Sequence, residues 1–180
     1  MLEPLRQGLP PLDPAAVSDT ASCALPARFE AVREARRFTR STLDQWDIGD
    51  CFDDACLVVS ELVTNALRHG LPPEDSPRVP APREPSSRET SPREPSSRGT
   101  EHGPPVRLHL MRWTGRLVCA VRDPSRESPL PREVEDFSAE SGRGLLLVDS
   151  FADGWGWHPL SAKLGGKVVW ALFRLRTPAE

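Results

Sequence analysis

Ser60-Glu61-Leu62-Val63-Thr64-Asn65-Ala66-Leu67-Arg68-His69-Gly70 reads as the closing turns of an amphipathic helix. At about 3.6 residues per turn, Glu61 and Asn65 fall on one face, a single turn apart. The apolar arc comprises Ala55, Val58, Val59, Leu62, Val63 and Ala66, and the two polar residues sit at its edge. A helix packed on a sheet borders a pocket along such an edge. A carboxylate that only accepts hydrogen bonds, next to a carboxamide oxygen, suits a hard cation and a water or hydroxyl to be activated. Asp50, Asp53 and Asp54 crowd the start of this helix, where the dipole favours negative charge, and Gly70 is a natural stop at its end.

Working outward, helical spacing precedes this segment from Arg28 to about Trp46, with Phe29, Val32, Ala35, Phe38, Leu43 and Trp46 near one side. Asp47 to Asp50, with Gly49, break it. Ala21–Leu25 suits a short edge strand, and residues 1–20, polar and Pro-rich, read as a flexible leader. After Gly70 the composition changes: ten of the chain's 20 prolines fall between residues 71 and 105. Ala81–Thr90 and Ser91–Thr100 form a tandem repeat rich in Pro, Ser, Arg and Glu, which cannot bury a core, so a disordered insertion is expected there.

Ordered pattern resumes at Val106, where Val106, Leu108 and Leu110 alternate with Arg107, His109 and Met111. A turn at Thr114-Gly115 leads to a second strand, Leu117–Val121, that ends in Arg122-Asp123. Pro124–Ser141 is polar, carries three prolines and reads as a loop. Gly142-Arg143-Gly144 then opens a short helix over Leu145–Ala152. Trp155–His158 and Lys167–Leu175 suggest a closing hairpin whose last strand, apolar on both faces, is central. The pattern predicts an α+β fold: a two-layer sandwich with helices on one face of a mixed, mainly antiparallel sheet.

At 180 residues, one domain is expected. A net charge of -3 makes no case for nucleic acid or an anionic membrane as the main partner. The first twenty residues hold no apolar run, and no stretch approaches the roughly 18 apolar residues of a membrane span, so a soluble, cytoplasmic protein is expected. Cys23, Cys51, Cys56 and Cys119 lack CxxC spacing and read as small hydrophobes. The four histidines are scattered, which argues against a His/Cys metal site.

Three segments therefore line up: the helix with Glu61 and Asn65, a strand ending at Asp123, and a glycine-flanked helix entrance at Gly142–Gly144. In this order they resemble the N, G1 and G2 boxes of the GHKL ATPase/kinase superfamily. The nearest likeness is to the anti-sigma factor serine kinases and their actinobacterial relatives. It is carried by Leu57–Gly70, by Val121-Arg122-Asp123, by Gly142-Arg143-Gly144-Leu145-Leu146-Leu147-Val148 and by Gly166-Lys167-Val168-Val169-Trp170-Ala171. Any one box is weak; the ordered set, spanning roughly residues 21–70 and 106–175, is specific. The resemblance implies a Bergerat (HATPase) fold over residues 21–177, interrupted at 71–105.

It also implies roles. Asn65 would hold Mg²⁺ through its amide oxygen, and Glu61 would orient or deprotonate an attacking hydroxyl. Asp123 would accept the exocyclic amine of adenine, where guanine presents an oxygen. Gly142 and Gly144 would let backbone N–H groups approach phosphates at a helix start, with Arg143, Leu145, Arg68 and His69 beside the nucleotide. Taken alone, each residue also has an ordinary reading: a solvated helix face for Glu61 and Asn65, a strand-ending turn for Asp123, an exposed loop for Arg143. The chain departs from the usual pattern at Ser125 and Leu146, where glycines are common, and its Pro124–Ser141 loop, the expected ATP lid, has no glycine hinge. No P-loop is present, because Lys167 is followed by Val168 and precedes a strand.

The activity implied is that of a Mg-ATP-dependent protein serine/threonine kinase, with ATP and Mg²⁺ as cofactors. Its partners would be an anti-sigma antagonist, which it phosphorylates, and a sigma factor; the resemblance is also compatible with a homodimer. The alternative is a non-catalytic, nucleotide-responsive module that sequesters a regulator. Retention of Glu61 speaks against that alternative, since a pure binder needs no base.

Overall fold

The computed structural model describes residues 6–7, 17–49, 51–69, 106–113, 115–129, 143–161 and 164–175. Residues 71–105, where an insertion is expected, together with Asp50, Gly70, Gly142 and most of the loop before it, lie outside the described residues. The elements follow in the order β1 (Arg6–Gln7), β2 (Val17–Leu25), α1 (Glu30–Gln45), α2 (Phe52–His69), β3 (Val106–Trp113), β4 (Arg116–Asp123), α3 (Gly144–Phe151), β5 (Gly154–Pro159) and β6 (Lys167–Arg174). The strands form one sheet in the order β1-β5-β6-β4-β3-β2. All neighbouring pairs are antiparallel except β1 with β5. Strand β6 lies between β5 and β4, which explains why it is apolar on both faces.

The period-2 alternation of the strands sorts side chains between two layers. Leu117, Cys119 and Val121 of β4, with Val169, Ala171 and Phe173 of β6, join the core shared with the helices. Val118, Ala120, Trp170 and Leu172 point the other way and form a second apolar cluster with Trp113. Helix α2 supplies the centre of the main core. Its arc Ala55, Val58, Val59, Leu62, Val63 and Ala66 is at most 3% exposed, so the face named from sequence is the face that is buried. Each fully buried Val or Leu contributes roughly 1.5–3 kcal/mol of transfer free energy. Asp53 and Asp54 occupy the first turn of α2 and Arg68 and His69 the last, both favourable to the helix dipole.

Helix α1 differs in detail from its apolar spacing. Phe29, counted on its inner side, is the N-cap residue and is 83% exposed. It precedes the first helical turn, so its side chain leaves the stripe. The buried stripe is Ala31, Ala35, Thr39, Thr42 and Leu43. Thr39 is tolerated inside because its hydroxyl donates to the Ala35 carbonyl at 2.9 Å. The helix is followed by Asp47 at φ 55, a left-handed conformation that Asp adopts more readily than most residues.

Strand β2 starts at Val17, inside the stretch read as leader, and takes the sheet edge opposite β1. Cys51, Cys56 and Cys119 are buried and Cys23 is half-buried; none of the four is in a disulfide. Burial pushes the Cys119 thiol well above its ordinary value, so it stays protonated and inert. Among the described residues, no helix is long and apolar enough to cross a membrane.

Candidate functional site

Glu61 and Asn65 lie half-buried on α2, at the border of its apolar arc. The hydroxyls next to them are occupied within the helix: Ser60 donates to the Cys56 carbonyl and Thr64 to the Ser60 carbonyl, each at 2.7 Å. Glu61, by contrast, has no hydrogen-bond or ion-pair partner among the described residues. Helix α3 packs against α2 with its first residue facing this pair. A methyl group built on Gly144 would stand 2.9 Å from Glu61 Oε2 and 3.2 Å from both Oδ1 and Nδ2 of Asn65. Only glycine leaves that space open. The three residues, 83 positions apart at the extremes, thus form one cluster.

The start of α3 adds to the same corner. No side chain caps it, and the first intrahelical bond there runs from the Leu147 N–H to the Arg143 carbonyl at 3.0 Å. The N–H groups of the first turn and the positive end of the dipole thus lie at the helix end whose first residue, Gly144, faces Glu61 and Asn65, an arrangement suited to an anion. Leu145 is 8% exposed and its side chain belongs to the core, so only its backbone can serve a ligand. Arg143 is exposed, as are Arg68 and His69 at the end of α2.

Asp123 ends β4 on the helix-facing side and is 2% exposed. Its Oδ1 accepts from Lys167 Nζ at 2.9 Å and from the Ser125 N–H at 2.9 Å. Lys167 is the residue directly opposite on β6 and is itself 5% exposed. Burial pushes the Asp123 carboxyl above the ordinary carboxylate value; the Lys167 ammonium and the Ser125 N–H pull it back without cancelling the effect. Gly166, at φ +85, brings the entry of β6 against the Asp123 carbonyl and leaves no room for a side chain. Sequence reasoning found Asp123 and missed Lys167. The signal was there: a lysine at the head of an apolar strand, one of only two lysines in a chain with 23 basic residues.

The structure therefore joins Glu61, Asn65 and Gly144 in one cluster and Asp123, Ser125, Gly166 and Lys167 in another. Both adjoin the layer between sheet and helices, and no described contact links Asp123 directly to Asn65. Among the described residues no three His, Cys, Asp or Glu side chains gather as a metal site. A cation at the α2–α3 corner would take its protein oxygen from Asn65 and draw its other ligands from phosphate and water. A groove of about 530 Å³ lined by Phe29, Val32, Arg33, Arg36, Arg37 and Arg40 lies on α1 and includes none of these residues.

No protein-family profile matches the sequence. No curated protein matches it either. Solved structures do. One is the crystal structure of the RsbU and RsbW domains of Rv1364c from Mycobacterium tuberculosis, with a TM-score of 0.55 at 17% identity. The fold is shared. That match covers 91% of this chain and 34% of the other, so the present chain spans about a third of the length of that crystallised chain. The architecture is accordingly the two-layer α+β sandwich expected from the sequence pattern, with helices on one face of a mainly antiparallel sheet, and it is shared with that structure.

Proposed function

We propose that this chain is a Mg-ATP-dependent protein serine/threonine kinase of the partner-switching type, acting in the cytoplasm. It phosphorylates a small anti-sigma antagonist and binds a sigma factor when that antagonist is absent. The observation that carries this reading is the corner where Gly144 opens α3 against Glu61 Oε2 and the Asn65 carboxamide. Supporting it are the ordered sequence boxes and a fold shared with a structure that contains an RsbW domain. The domain would run from residue 21 to 177, with residues 71–105 a surface insertion.

Mg-ATP, when bound, supplies the γ-phosphoryl group and the counter-charge for its oxygens. The chain's own groups divide the remaining work. Asn65 would offer its amide oxygen to the ion, and the Gly144 and Leu145 N–H groups would offer donors to phosphate. Arg143, Arg68 and His69 stand at the exposed margin, where cationic side chains favour an anionic ligand. Glu61, with no other described partner, orients the attacking hydroxyl and takes its proton at Oε2. Asp123 would accept a hydrogen bond from the adenine amine. Rate enhancement comes mainly from positioning and charge neutralisation.

The test is transfer from labelled ATP to candidate antagonist proteins by wild type, Glu61→Ala and Asn65→Ala. Glu61→Ala should lose transfer, by about 10²-fold or more, while retaining ATP binding. Asn65→Ala should weaken Mg-ATP binding itself. Wild-type binding of ATP without transfer to any antagonist would instead favour the sequestering module. Transfer undiminished in Glu61→Ala would remove Glu61 from the chemistry.

A further inference from the structure

We infer that Lys167 is a specificity-determining residue of the nucleotide site. It donates a hydrogen bond to N1 of adenine while Asp123 accepts one from the exocyclic amine. This rests on the ATP reading given above and deepens it. Asp123 and Lys167 are direct cross-strand partners at the ends of β4 and β6. By strand alternation both continue the inward-facing rows, Cys119 and Val121 on one strand, Val169 and Ala171 on the other. They face the layer that borders the helices, not the second apolar cluster behind the sheet.

Stability alone does not account for this pair. A buried ion pair is about neutral against well-packed apolar residues of the same volume, because desolvation offsets the attraction. Here Asp123 and Lys167 are 2% and 5% exposed, and among the described residues neither belongs to an extended ion-pair network. Oδ1 of the aspartate is already engaged twice, by Lys167 Nζ and by the Ser125 N–H. Among the described residues nothing engages Oδ2, and Nζ has no second acceptor. What the pair presents is one anionic acceptor beside one cationic donor. Gly166 fixes that juxtaposition, since its positive φ and close approach to the Asp123 carbonyl seat the lysine opposite the aspartate.

The Watson–Crick edge of adenine offers the complement: an amine donor at N6 adjacent to an acceptor at N1. Guanine presents the reverse, an acceptor at O6 beside an N1–H donor, so with the same pose each group would meet its like. A lone aspartate reads only the amine. With the lysine, two adjacent atoms of the base are read, and a base lacking either leaves a buried polar group unpaired, which sites of this kind reject strongly.

The test is direct titration of the full chain with Mg-ATP, Mg-GTP, Mg-1-deaza-ATP, in which N1 is replaced by C–H, and Mg-7-deaza-ATP as a control. Wild type should bind 1-deaza-ATP roughly 10- to 100-fold more weakly than ATP, the loss expected of a hydrogen bond to a charged donor. It should bind 7-deaza-ATP like ATP and reject GTP. In Lys167→Met, ATP and 1-deaza-ATP should converge to within about three-fold. If that variant does not fold, the analogue series on wild type still decides. Wild type binding ATP and 1-deaza-ATP equally overturns the role of Lys167 and leaves the ATP reading standing. Persistence of the full N1 effect in a folded Lys167→Met also overturns it. Absence of binding to all four nucleotides overturns both.

Discussion

Replacing Gly144 with alanine should separate function from stability. The added methyl group would stand 2.9 Å from Glu61 Oε2 and 3.2 Å from the Asn65 amide atoms, whereas ordinary contact begins at 3.4 Å. The carboxylate oxygen must therefore retreat by about 0.5 Å, and the carboxamide by about 0.2 Å. Both are far ends of flexible, half-buried side chains, so the fold can absorb the shift. Alanine in a helix is also favoured over glycine by up to about 1 kcal/mol. Urea unfolding should then place Gly144→Ala within about 1 kcal/mol of wild type. Phosphoryl transfer should suffer far more. A 1 Å misplacement at a reacting site can cost about 10²-fold, so half that displacement, applied to the base, should cost roughly ten-fold or more. The paired assay is transfer from labelled ATP beside urea unfolding of the same preparation. A variant with wild-type transfer and wild-type stability would refute the placement of this corner at the reaction. A loss of several kcal/mol would refute it differently, making Gly144 a packing residue.

Two further expectations concern other places in the chain. Gly166→Ala should be strongly destabilising, because φ +85 disfavours a side chain by about 1–2 kcal/mol and the methyl group would meet the backbone of Asp123 and Pro124, which cannot swing away. Gly165→Ala, at φ +62 with nothing within 4 Å, should show the conformational cost alone; equal losses in urea unfolding would refute the close-approach argument. His109 is held below its ordinary value of 6.5 by burial first and by Arg107 and Arg122 next. The unfolded chain therefore takes up the proton more readily, and the contribution of His109 is present above about pH 6.5 and lost as pH falls through its lower folded value. Stability measured from pH 7.5 down to 5 should decline less steeply in His109→Gln; an unchanged slope would contradict this.

Sequence reading reached the parts of the fold that repeat. Helix α2 was legible because six apolar residues recur at helical spacing and all six are buried. Strands β3 and β4 were legible through alternation and through the apolar run before Asp123. Strand β1 is two residues long, too short to carry a period. The first half of β2 escaped notice because an edge strand needs few apolar residues. Val17, Asp19 and Ala21 alternate with exposed Ser18, Thr20 and Ser22, and the strand is held by pairing with β3. Phe29 misled because helical spacing does not mark where the first turn begins. The cluster of Glu61, Asn65 and Gly144 followed from local motifs, each readable in its own segment. The Asp123–Lys167 pair did not: Lys167 stands out locally as one of only two lysines, at the head of an apolar strand, but the register that sets it opposite Asp123 belongs to the folded sheet.

The central claim is a Mg-adenine nucleotide bound where α3 meets α2, and its most direct measurement is the unfolding free energy with and without Mg-ATP. At a free concentration 100 times its Kd, Mg-ATP should raise the stability of wild type by about 2.7 kcal/mol and that of Asn65→Ala by clearly less at the same concentration. No stabilisation of wild type at millimolar Mg-ATP, or an equal gain in both proteins, would contradict the account.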